Sequence, residues 1–76
     1  MENELINKII AEFNAQGVDD VSVRLSQFLG KPWLYLLVYH NGRGIIYDMS
    51  VETYNTYGIC LNIIKDEWSK KWNERW

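Results

Sequence analysis

From Asn3 to Gln16 the apolar residues Leu5, Ile6, Ile9, Ile10 and Phe13 recur at steps of three and four, opposite Asn7, Lys8, Glu12 and Asn14. That spacing predicts an amphipathic helix, and Gly17 stands where a left-handed C-terminal cap would end it. The period then changes to two. Val21, Val23 and Leu25 alternate with Ser22, Arg24 and Ser26, the pattern of a strand with one wet face.

The stretch LGKP holds a glycine and the only proline, which predicts a turn before the strand WLYLLVYH. Asn41-Gly42 follows it, the strongest short hairpin signal, because both residues tolerate the positive φ of a type I′ turn. GIIYDMS returns as the third strand. With Asn41 and Gly42 as the turn, His40 lies opposite Arg43. A four-residue loop closing on Tyr39 and Gly44 keeps the same pairing. Leu34, Leu36, Val38, Ile45, Tyr47 and Met49 then share one face, and Trp33, Tyr35, Leu37, Tyr39, Ile46 and Asp48 the other. Both faces are largely apolar.

Ser50 suits an N-cap, and Tyr54, Tyr57, Leu61, Ile64, Trp68 and Trp72 keep to one stripe, which predicts a single helix from Val51 to Arg75. The alternation of Tyr57, Ile59, Leu61 and Ile63, together with Gly58, supports instead a fourth strand near 57–64 and a short last helix. Both readings make the chain helical from Lys65, where Asp66 precedes Lys70 and Glu67 precedes Lys71 by four residues. The expected fold is one α+β domain over 1–76, with αβββα order and an antiparallel three-stranded sheet. The alternative is αββββα.

The closing stretch WSKKWNERW sets Trp68, Trp72 and Trp76 four residues apart. Continued helix would place Trp68 in the core and Trp72 at its edge. Trp76 drifts about 80° round the axis and is expected to be free for contact.

Composition narrows the function classes. Of the 76 residues, 47% are hydrophobic, and there is only one proline, so an ordered globule is expected. A net charge of −2 has the wrong sign for a general nucleic-acid binder. Cys60 is the only cysteine and can form no internal disulfide, which favours a cytoplasmic setting. The start MENELINKIIAEF carries acidic residues where a signal peptide needs basic ones. The longest apolar run, WLYLLVY, is far short of the roughly 20 residues that span a bilayer, so no membrane association is expected.

Candidate chemistry is sparse. His40 is the only histidine, with only Asp48 and Tyr39 as nearby polar partners, and it is expected to be a solvated turn residue. Cys60, between Ile59 and Leu61, is expected to be buried and inert. One His and one Cys cannot supply a structural zinc site. GRG at 42–44 matches no phosphate-loop pattern, and Asp19-Asp20 reads as a polar loop. No enzyme activity, cofactor or metal is expected.

The αβββα order resembles the double-stranded-RNA-binding domain. That resemblance implies lysines at the start of the last helix and a basic loop after the second strand. Here the last helix would begin SVETYNTY, without a lysine, and the loop offers only His40 and Arg43. Base stacking on the aromatic face would need a basic surround, and the cations near the strands are few: Arg24, Lys31 and Arg43. An RNA or single-stranded nucleic-acid module is the weaker alternative.

The aromatic face carries the stronger implication. With the helices on one side of the sheet, Trp33, Tyr35, Leu37, Tyr39 and Ile46 would face water, and such strips mark binding sites. The hairpin residues His40 and Arg43 and the terminal Trp76 are expected to extend that surface, with Arg24, Arg43 and Lys71 orienting a partner from the rim. In its economy the chain resembles the small proteins of phages and mobile elements that block a host factor, counter-defence inhibitors such as anti-CRISPR proteins among them. The expected function is protein binding by occlusion. A homodimer or other homo-oligomeric regulatory protein, or an immunity protein, fits the same surface.

Overall fold

A computed structural model describes residues 2–76. The elements run α1 (Glu2–Ala15), β1 (Val21–Phe28), β2 (Lys31–His40), β3 (Arg43–Ser50), α2 (Val51–Tyr57) and α3 (Leu61–Trp72). The three strands form one antiparallel sheet in the order β1-β2-β3. The expected α+β class and three-stranded sheet are found, with one more helix than the sequence suggested.

Gly17 ends α1 as predicted. Its φ is +85°, its amide donates to the Asn14 carbonyl at 3.0 Å, and the Val18 amide donates to the Phe13 carbonyl at 3.0 Å. This is a Schellman cap, and Phe13 and Val18, the two residues such a cap brings together, both lie in the core.

The second hairpin has the predicted register, with His40 opposite Arg43 and Leu36 opposite Tyr47. Asn41 and Gly42 adopt φ of +52° and +73°, as a type I′ turn requires. The first hairpin closes with the same geometry on Leu29 and Gly30, at φ of +53° and +76°. Pro32 lies inside the central strand without costing a ladder bond. The Tyr39 amide donates to the Asp20 carbonyl, so by alternation Pro32 and Gln27 form a non-bonded pair, and on the other side β3 ends opposite Trp33.

The long helix expected over Val51–Arg75 is broken, and no fourth strand replaces it. Ser50 caps α2 through Oγ, which accepts from the Thr53 amide at 3.0 Å. Gly58 then takes a φ of +70° and turns its amide onto the Tyr54 carbonyl, ending α2 after Tyr57. The chain restarts as α3 after Cys60. The break explains two misplaced residues: Tyr57 is 82% exposed instead of lying on a buried stripe, and Cys60 is exposed instead of buried.

A single core joins Ile9 and Phe13 of α1, Tyr54 of α2, and Leu61, Ile64 and Trp68 of α3 to Leu34, Leu36, Val38, Ile45 and Met49 of the sheet. α1 lies against β1, α3 against β3, and α2 against β2 and β3. All three helices therefore cover the same face. Among the described residues, no helix is long and apolar enough to cross a membrane.

Candidate functional site

Strand alternation and one-sided helix packing together leave the second face of the sheet open. It carries Trp33, Tyr35, Leu37 and Tyr39 along β2, Ile46 and Asp48 on β3, and Ser22, Arg24 and Ser26 on β1. Ile46 is 67% exposed, and Trp33, Tyr35 and Leu37 are half-buried through lateral packing within the sheet. Trp33 Nε1 donates to Asp48 Oδ2 at 2.7 Å, and its ring lies 5.0 Å from that of Phe28, so the indole is held in place. A shallow hollow beside the β2 ridge is lined by Ser22, Arg24, Ser26, Tyr35, Leu37 and Ile46.

Tyr39 has a second task. A Cβ added at Gly44, opposite it in the register, would come within 2.8 Å of the Tyr39 ring. The ring therefore lies across the glycine backbone and shields a weak point in β3.

The residues expected to contact a partner separate into two groups. Trp33, Tyr35, Leu37, Tyr39 and Ile46 share the open face, whereas His40 and Arg43 point to the helix side and are engaged by the end of the chain. Three indoles converge on this hairpin. Trp68 Nε1 donates to the Arg43 carbonyl at 2.8 Å, and Trp72 Nε1 donates to the Gly44 carbonyl at 2.9 Å. Trp76 stacks on the His40 imidazole at 4.0 Å and 9°, and meets Trp68 edge to face at 5.4 Å. The Arg43 guanidinium bonds Glu74.

Trp76 is thus folded in, contrary to the free position that a continued helix implied. Asn73 takes the left-handed conformation, at φ +50° and ψ +45°, and its amide and that of Glu74 both turn onto the Ser69 carbonyl. The helix stops there and the chain doubles back toward the hairpin. His40 is half-buried, not a solvated turn residue. Among the described residues, no cluster of three or more His, Cys, Asp or Glu side chains could hold a metal.

Of the expected rim cations only Arg24 lies on the open face. Arg43 is bound to Glu74, and Lys71 stands 5.3 Å from the Trp72 ring. Sequence reasoning placed Leu29 in a turn and assigned Phe28 to no element. Leu29 is 85% exposed at a positive φ that leucine rarely adopts, and Phe28 extends the open face toward it. The available signal was a leucine before Gly30 in a tight turn, where Asn or Gly is usual.

Tyr54 is the clearest electrostatic feature outside this face. Burial, reinforced by its 2.7 Å hydrogen bond to Glu12 Oε1 and by that carboxylate's charge, pushes its phenol up to about 12. Comparisons with protein-family models, curated proteins and solved structures find no match to this chain.

Proposed function

We propose that this is a non-enzymatic protein-binding protein whose open sheet face docks on a partner protein and blocks it sterically, in the manner of the small inhibitors that phages and mobile elements encode. The observation that carries the reading is the placement of all three helices on one face, which leaves the apolar and aromatic side chains of the other uncovered. Trp33 is held by Asp48 and Phe28, so it enters an interface without much loss of rotamer freedom. Tyr35 and Leu37 continue the ridge, and Arg24 supplies a charged rim.

Tyr35→Ala and Ile46→Glu test the reading, because neither side chain contributes to the core. Tyr39→Ala is a poorer test, since that ring also shields Gly44. A protein retained from a host lysate by the parent chain is expected to be lost by both variants while their unfolding midpoints stay unchanged. Retention by both variants, or their unfolding, contradicts the proposal.

A further inference from the structure

Two cross-strand rows of the open face bear on what covers it. One row runs Arg24, Tyr35, Asp48 across β1, β2 and β3, and the neighbouring row runs Ser22, Leu37, Ile46. The first carries opposite charges on its two outer strands, about 9 to 10 Å apart at the usual strand spacing. Arg24 has no ion pair or side-chain hydrogen bond among the described residues, while Asp48 is held only by Trp33. In the second row Ser22 and Ile46 both border the shallow hollow, Ser22 as a small side chain on β1 and Ile46 as a 67% exposed one on β3.

A two-fold axis parallel to β2 brings each position of β1 over the position of β3 in the same row. Arg24 then meets Asp48 of the partner subunit, and Ile46 comes over Ser22 of the partner subunit. Each contact occurs twice, as an isologous interface requires. An axis running across the strands through the Tyr35 row would instead set Arg24 over its own copy, which like-charge repulsion opposes. Charge selects the axis along β2, and that axis also sets the exposed Ile46 over Ser22 of the partner subunit.

Resting on the reading of this face as a docking surface, we propose that the free protein pairs through it with a second copy of itself, the two sheets face to face about an axis along β2, and that a foreign partner must displace that copy. The helices lie on the far side and do not obstruct the approach. Three strands of this length present roughly 14 by 26 Å at standard spacing and rise. That is small beside the ~800 Å² per partner of a standard interface, so the dimer is weak and reversible, as displacement requires.

Sedimentation equilibrium of the full chain up to several hundred micromolar is the test. The parent chain is expected to move from its 9.0 kDa monomer toward twice that mass. Arg24→Asp alone and Asp48→Arg alone should each weaken association at least tenfold. Mixing the two variants should restore it, because each then presents the charge the other lacks. A chain that stays monomeric throughout, or a dimer indifferent to both charge reversals, overturns the proposal. Thermal unfolding of each variant separates lost pairing from lost folding, and Arg24→Asp removes no ion pair or side-chain hydrogen bond among the described residues. The docking reading fails separately, through an Ile46→Glu chain that keeps its foreign partner.

Discussion

Ile45 and Ile46 are chemically identical neighbours in one strand, yet the first is 6% exposed and the second 67%. Ile45 packs in the shared core, and Ile46 projects from the open face. The same contrast runs along β2, where Leu34, Leu36 and Val38 are buried and the intervening Trp33, Tyr35 and Leu37 are only partly covered. Hydrophobicity alone does not distinguish these sets. What separates them is the side from which the helices arrive, so one set is buried in the core and the other is left uncovered.

The largest effects should come from the covered side. Trp68 is fully buried and also bonds the Arg43 carbonyl, so Trp68→Ala should cost about 3 to 5 kcal/mol in chemical denaturation, enough to unfold much of a chain this small. Ile45→Ala should cost about 2 to 4 kcal/mol by the same measurement.

Alkaline titration should show a second, intermediate effect. The Tyr54 phenol is raised in the folded chain from 10.0 to about 12, so its contribution is complete below pH 10 and is lost as pH rises toward 12. There the phenolate would also face the Glu12 carboxylate. Tyr54→Phe should flatten this part of the stability profile, as followed by circular dichroism. Trp76→Ala should cost about 1 to 2 kcal/mol through loss of its stack on His40 and its edge contact with Trp68. A cost near zero would return Trp76 to the free position expected of a continued helix.

The two hairpins repeat the contrast on a smaller scale. Both are type I′, but one uses Asn41 and is clasped by the C-terminal tryptophans, whereas the other holds an exposed Leu29 in a left-handed conformation. Leu29→Asn should therefore raise stability by about 1 kcal/mol in denaturant unfolding, since asparagine tolerates that conformation better.

Much of the fold was legible because its signals are local. The cap at Gly17, the Asn41-Gly42 turn, the β2–β3 register and the Ser50 cap each follow from residue types within a few positions. The break between α2 and α3 was not. One stripe from Tyr54 to Trp72 reads as continuous helix, and the cost of a single glycine at 58 does not reveal that tertiary packing prefers a turn there. The fate of Trp76 was hidden for a related reason. Asn73 reverses the chain, and only the assembled hairpin offers the His40 ring as its partner. The register legible in the sequence makes Trp33 and Asp48 diagonal neighbours on the open face, but the hydrogen bond between them depends on their rotamers.

The central claim is that Ile46 and its neighbours serve contact and not folding. The most direct test measures unfolding free energy and partner capture together for Ile46→Glu. Stability within about 0.5 kcal/mol of the parent chain, with capture abolished, is the predicted result. Collapse of the fold, or undiminished capture by a folded variant, would contradict it.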